Sequence, residues 1–181
     1  MRKCGFGGKS MKTLSAPFSK DKLASLKAGD FVLLSGKVLT ARDAAHKRIV
    51  KELEDGTLAF NLKDEIIFYV GPCFKDGKLT ACGPTTAMRM DAYAPTLFEN
   101  GVSAVIGKGD RGQAVYDSIV KNGCVYFAAI GGAGATYGKA VKSVELLAYE
   151  DLGPEAVRVF DVEDMPLIVA IDAEGNSIFK K

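Results

Sequence analysis

Short apolar runs of strand length alternate along this chain with segments of helical period, and that alternation constrains the fold more than any other feature. Phe31-Val-Leu-Leu-Ser35, Ile66-Ile-Phe-Tyr-Val70, Val102 to Ile106 and Cys124 to Ile130 read as strands. After the first run, Ala45, Ile49, Val50 and Leu53 recur with a helical period, with Thr40 placed as an N-cap and Gly56 as the stop. Gly71-Pro72 closes the second run, and Lys75-Asp-Gly77 is a turn leading to a short strand, Lys78 to Cys82. Gly83-Pro84-Thr85-Thr86 opens a helix over about residues 86–99 that Pro95 kinks or splits, and residues 111–121 read as another helix. The tail adds three candidate strands: Ser143 to Tyr149, Val157 to Val162 and Leu167 to Ile171. Interleaved strands and helices predict an α/β fold. The strand-rich second half fits a mixed sheet, or two small sheets with helices, better than a doubly wound one.

With 181 residues there is enough chain for one sizeable core and too little for two. Residues 1–14 are polar and Gly-rich and read as a flexible leader, leaving 15–181 as a single domain. Lys plus Arg exceed Asp plus Glu by 24 to 22, which gives no reason to expect nucleic acid or an acidic membrane as partner. No apolar run approaches the roughly 20 residues of a membrane span. The basic N-terminus lacks the apolar stretch of a secretory signal, so the expected location is the cytoplasm. Cysteines stand at 4, 73, 82 and 124 without a CxxC, beside a single histidine. A structural zinc site needs about four clustered ligands and a cubane cluster three or four thiolates. The expectation is therefore no metal held by this chain, with Cys73, Cys82 and Cys124 as small reduced core residues.

Three cations stand where an anion would be met. Arg42 falls in the first turn of a helix, where the macrodipole disfavours a cation by roughly 0.3–1 kcal/mol. Arg89 lies one turn into the helix opened by Gly83-Pro-Thr-Thr, and Lys108 sits in a Gly-Lys-Gly loop just past an apolar strand. In α/β sheets, ligands gather at the carboxyl ends of strands and at helix N-termini. Each cation also has a plain alternative: Arg42 paired with Asp43, Arg89 paired with Asp91, Lys108 as a turn residue. Asp43 is also placed to orient Arg42 by a bidentate bond. His46 follows Arg42 by four residues on the same helical face, as a structural residue or a supporting one. Thr85 shares a face with Arg89. From composition alone it is an N-cap; beside a held substrate it is a reactive hydroxyl. Gly131-Gly-Ala-Gly-Ala-Thr-Tyr-Gly138 lacks the phosphate-loop pattern and the GxGxxG spacing, so close backbone packing or a subunit contact is expected there rather than a nucleotide.

Thr40-Ala-Arg-Asp-Ala-Ala-His-Lys47 and Gly83-Pro-Thr-Thr-Ala-Met-Arg-Met-Asp91 resemble signatures of the class I (iron–sulfur) fumarate hydratase β domain. So do Ile106-Gly-Lys-Gly109 and the tail from Gly131-Gly-Ala through Glu145-Leu to Val162-Glu-Asp-Met-Pro166, in the family's order from about residue 20 onward. L-tartrate dehydratase β subunits share the pattern. The leader and Cys4 lie outside it. The resemblance implies a swivelling β/β/α domain that closes over a [4Fe-4S] cluster held by three cysteines of a larger, alpha subunit, in a heterotetramer that adds water to fumarate to give malate. It further implies that Arg42, Arg89 and Lys108 grip the dicarboxylate, that Thr85 is the catalytic base, and that Asp43 and His46 support them. The other readings are an L-tartrate dehydratase β subunit and a non-catalytic dicarboxylate-binding module, against which Thr85 speaks, since a binder needs no reactive hydroxyl.

Overall fold

The computed structural model describes residues 11–180. In chain order the strands are β1 (Met11–Ser15), β2 (Phe31–Thr40), β3 (Ile66–Phe68), β4 (Val70–Lys75), β5 (Lys78–Pro84), β6 (Ala104–Gly107), β7 (Val125–Ala128), β8 (Val141–Ala148) and β9 (Val157–Ile171). The helices are α1 (Lys20–Ala24), α2 (Asp43–Glu54), α3 (Ala94–Glu99), α4 (Gln113–Asn122) and α5 (Gly134–Ala140), with 3-10 turns at Ala87–Met90 and Glu150–Glu155. Seven strands form one mixed sheet in the order β1-β2-β3-β6-β7-β9-β8. Strands β2, β3, β6 and β7 run parallel, and β9 lies antiparallel to β7 and β8. Because β9 also pairs along β2, the strands β2-β3-β6-β7-β9 close into a ring. The expected α/β class with a mixed sheet is what the chain adopts.

The short central strands are apolar at every position because both their faces are covered. Ile66, Phe68, Ala104, Ile106, Val125 and Phe127 join one buried cluster with Leu23 of α1 and Tyr137 of α5. Their alternate neighbours Ile67, Val105 and Tyr126 join a second with Ala45 and Ile49 of α2, Leu97 and Phe98 of α3, and Val115 and Ile119 of α4. Each such aliphatic side chain contributes roughly 1.5–3 kcal/mol by leaving water. The strand period of two thus sorts one run of letters into two cores.

Three expectations about local structure change, and the split expected in the helix over 86–99 is found. Met11–Ser15 is not leader: it pairs in parallel with Phe31–Ser35 and buries Leu14. Residues 1–10, including Cys4, lie outside the described residues. Thr40 is not the cap of α2 but the last residue of β2, paired to both Phe68 and Arg158. Its Oγ1 accepts from the Arg158 N–H at 3.1 Å. The sheet bonds on both edges win, and the helix starts after Arg42. The helix expected over 86–99 is split into the Ala87–Met90 turn and α3, with Pro95 in the first turn of α3 where its missing N–H costs nothing. The two tail strands expected at 157–162 and 167–171 are one strand, β9, continuous through a bulge where Asp164 has φ 49°.

The hairpin β4–β5 turns at Asp76-Gly77, both with positive φ as a two-residue hairpin turn demands. Helix α5 lies against it. A Cβ at Gly138 would stand 3.1 Å from the Thr80 carbonyl oxygen, and one at Gly134 3.5 Å from Gly83 Cα. The glycine run after β7 therefore serves close packing of backbone on backbone, as expected from its failed phosphate-loop pattern.

Candidate active site

The parallel strands deliver their carboxyl ends to one edge of the ring, and the singled-out residues follow those ends. Arg42 comes just after β2, Tyr69 just after β3, and Lys108 just after β6. After the β4–β5 hairpin the chain returns to this edge. There the Thr85 N–H donates to the Tyr69 carbonyl at 2.7 Å, the Lys108 N–H to the Thr85 carbonyl at 3.1 Å, and the Ala87 N–H to the Lys108 carbonyl at 2.9 Å. Thr85 is thus inserted between the extensions of β3 and β6, its main chain fixed on both sides. Gly107 permits the approach: a Cβ there would lie 2.9 Å from the Ala87 Cβ and 3.1 Å from a Tyr69 ring carbon. Gly109 then turns the loop with φ 81°. The Gly-Lys-Gly triplet is explained by these two needs on either side of the cation.

The side chain of Thr85 makes no hydrogen bond among the described residues, and no side chain caps the turn that follows, whose N-cap position is Thr86. The capping role that composition favours is therefore absent. The hydroxyl is half-buried and unengaged on a rigid ledge beside Lys108. Lys108 is exposed, and its ammonium has no ion-pair or hydrogen-bond partner among the described residues.

The arginines are held by carboxylates other than those the sequence suggested. Asp43 binds Arg89, not Arg42, accepting from its Nε at 3.2 Å and its Nη2 at 2.8 Å. Arg42 is bound by Glu155, whose Oε1 lies 2.7 Å from its Nη2. The other Glu155 oxygen accepts from the Ala44 N–H at 2.8 Å, so this distant carboxylate caps α2 as well. Burial works to raise the Glu155 pKa, but the bonds from Arg42 and Ala44 and the charges of Arg42 and Arg89 outweigh it and hold the carboxyl below its ordinary value. Both arginines therefore act on one point.

The Arg42 guanidinium lies over Gly71, where a Cβ would come within 2.7 Å of Nη1. His46 supports it from beneath: its Nδ1 is 2.8 Å from the Arg42 carbonyl oxygen. A carbonyl only accepts, so Nδ1 carries the proton. Burial drives the His46 pKa down to about 4, against that hydrogen bond, so the ring is neutral at ordinary pH. Arg42 is thus bonded to His46, Arg89 to Asp43, and Thr85 to Lys108 through the main chain, with Tyr69 touching both the His46 ring and the Thr85 N–H. The residues that sequence reasoning missed are Glu155 and the pair Asp91–Arg111. Arg111, wholly buried, donates from Nε to Asp91 Oδ1 at 2.6 Å. Glu155 arrives from the far end of the chain, and no local pattern announces it.

These residues do not fit an iron–sulfur cluster. Among the described residues no three His, Cys, Asp or Glu side chains gather as a metal-binding group. Cys82 and Cys124 belong to different buried clusters, and burial pushes their pKa values up to about 12 and about 11. Cys73 is exposed, so the expectation of three core cysteines holds for two.

Residues 8–181 match the family model of the fumarase C-terminus. This chain belongs to the fumarase C-terminal family. Among its relatives is the putative L(+)-tartrate dehydratase subunit beta of Methanocaldococcus jannaschii, 37% identical over 172 residues that cover 90% of this chain and 88% of that protein. The aerobic class I fumarate hydratase of Escherichia coli (strain K12) is 35% identical over 192 residues, covering 100% of this chain and 34% of that protein. The putative class I fumarate hydratase of Geobacillus stearothermophilus is 35% identical, over 92% of this chain and 33% of that protein. The chain spans about a third of the length of these two fumarate hydratases and most of the length of the tartrate dehydratase subunit. No helix among the described residues is long and apolar enough to cross a membrane.

Proposed function

We propose that this chain is the beta subunit of a two-chain hydro-lyase, and that with its partner it reversibly hydrates fumarate to L-malate as class I fumarate hydratases do, in the tricarboxylic acid cycle. The partner is a larger alpha subunit carrying the [4Fe-4S] cluster, a reading supported by the lack of a metal-binding group among the described residues, and the assembly is two chains of each kind in the cytoplasm. Cysteines left unpaired among the described residues suit that reducing compartment.

Family membership and the gathered cations support the reading, and the observation that carries it is Thr85. Its main chain is hydrogen-bonded on both sides while its hydroxyl has no hydrogen-bond partner among the described residues. Removing a proton beside a carboxylate builds charge on a group that is already negative. Arg42, Arg89 and Lys108 would grip the substrate carboxylates and stabilise that charge as it develops. The same cations favour ionisation of the Thr85 hydroxyl, which takes the proton from carbon in the dehydration direction and returns it in hydration. The open edge leaves the substrate's other side to the partner, whose closure would exclude water.

A second reading, an L-tartrate dehydratase beta subunit, is favoured by the match in length to the Methanocaldococcus jannaschii relative. Fumarate and tartrate differ in groups that a pocket senses through few side chains. The test is to purify the chain with the cluster-bearing chain and follow fumarate consumption and L-tartrate dehydration side by side. Activity should require both chains. Thr85→Ala should lower kcat by about 100-fold or more at nearly unchanged KM and thermal stability. Strong activity from this chain alone would overturn the assignment, and near-normal turnover of Thr85→Ala would remove its catalytic role. Binding without turnover on either substrate would leave a dicarboxylate-binding module instead.

A further inference from the structure

Beneath the site lies a charge that stability does not call for. Arg111 has 0% side-chain exposure, yet among the described residues only its Nε is paired, to Asp91. Both terminal nitrogens are buried without a hydrogen-bond partner, as are the Tyr69 hydroxyl and His46 Nε2. Replacing a buried ion pair by apolar side chains of similar size is commonly neutral or stabilising, so a half-satisfied buried guanidinium is a poor device for holding a fold together. Such departures concentrate where function demands a particular geometry.

The contacts of Arg111 show which geometry that is. Its guanidinium carbon lies 5.6 Å from the centre of the Tyr69 ring and 5.1 Å from that of Tyr126. Tyr69 supplies the carbonyl on which the Thr85 N–H hangs. The Tyr126 hydroxyl donates to the carbonyl of Gly109, next after Lys108, at 2.8 Å. Asp91 stands two residues beyond Arg89, at the end of the turn that carries it, and its second oxygen accepts from the Gly112 N–H at 2.6 Å. One planar cation therefore touches the supports of Thr85, Lys108 and Arg89 together. We propose that Arg111 is a positioning residue that sets the Thr85–Lys108 ledge and the Arg89 turn in register with each other. It touches no reacting atom and acts through Asp91, Tyr69 and Tyr126. A lysine in its place would keep the charge and lose the flat fork that lies against two rings while pairing with Asp91.

The inference rests on the proposed function for its catalytic part and on the fold alone for its structural part, and two readouts separate them. The first is amide hydrogen exchange of the Thr85 and Lys108 N–H groups in the full chain. Arg111→Met, apolar and of similar length, should exchange both about 10-fold faster or more, with thermal unfolding near that of the unaltered chain. Arg48→Met, which removes an exposed pair with Asp151, should leave both amides unchanged. The second is hydration by the two-chain complex, where Arg111→Met should lose about 10- to 100-fold in kcat/KM and Arg111→Lys should recover only part of it. If Arg111→Met fails to fold, Asp91→Asn, which keeps the shape and weakens the clamp, is read in the same two assays. Unchanged exchange at Thr85 and Lys108 overturns the inference. Faster exchange with full kcat/KM overturns its catalytic part. A complex inactive without any substitution speaks against the hydro-lyase reading and leaves the exchange result to decide the positioning role.

Discussion

Gly71→Ala adds one methyl group at a place where the structure leaves no room for it. The new Cβ would stand 2.7 Å from Nη1 of Arg42, against an ordinary contact of roughly 3.5 Å. The backbone is no obstacle, since Gly71 lies in β4 opposite Gly83. The guanidinium is the movable partner and must retreat by about 0.8 Å. If that motion lies along the bond to Glu155, a contact of 2.7 Å opens to about 3.5 Å, the limit of a hydrogen bond. Arg42 and Glu155 side chains are 25% and 23% exposed, so weakening their pair costs about 1 kcal/mol after solvent screening. For a chain of this length that lowers Tm by about 2–4 °C. The effect on chemistry should be larger than the effect on folding, because misplacing a charge by about 1 Å costs up to 100-fold in rate. Differential scanning fluorimetry and steady-state hydration of fumarate by the two-chain complex measure the two. A Tm loss of a few degrees with a 10- to 100-fold loss in kcat/KM is expected. Full activity at unchanged Tm would refute the placement of Arg42 over Gly71, and a collapse in stability with normal kcat/KM in the folded fraction would refute its part in binding.

Two further outcomes follow from groups near the site. In the unfolded chain His46 takes up a proton below about pH 6.5, whereas in the fold burial pushes its pKa down to about 4. Stability should therefore fall as pH drops between those values, by about 3 kcal/mol in all, and His46→Gln should flatten that part of the profile in urea titrations. Parallel profiles for the two proteins would show that the ring is not buried neutral. Gly138→Ala meets main-chain atoms, the Thr80 carbonyl oxygen at 3.1 Å and Ala81 Cα at 3.2 Å, which cannot swing aside. It should destabilise by about 1–3 kcal/mol, read as a lowered urea midpoint at unchanged slope. No change in midpoint would mean that α5 does not sit tightly on β5.

The central strands could be read from the letters because burial on two faces leaves no other composition for them: Ile66-Ile-Phe is apolar throughout whichever way it turns. Arg42, Arg89 and Lys108 were legible for a different reason. A cation at a helix start is locally unfavourable, which holds for Arg42 at the N-cap of α2. Lys108 stood out as a cation between glycines past a strand, and Arg89, expected one turn into a helix, lies in the last turn of a short 3-10 segment. Thr85 was not legible on these terms, since a threonine after Gly-Pro is a reasonable cap until the coordinates show that it caps nothing. Thr40 misled in the opposite direction: its local setting says cap, while two lateral strand pairings keep it in the sheet.

Local sequence, acting over a few residues, thus determined which segments become strands and helices, where Asp76-Gly77 turns the chain, and which charges sit oddly for stability. Tertiary structure alone decided who meets whom. Asp43 binds Arg89 across 46 positions rather than its neighbour Arg42, and Glu155 reaches Arg42 across 113. It also joined the two apparent tail strands into one and made residues 11–15 an edge strand. The reason is that ion pairs, ladder bonds and close approaches at glycine depend on distance in space. Distance in space is settled only when β9 closes the ring against β2 and brings the carboxyl ends of the parallel strands to one edge.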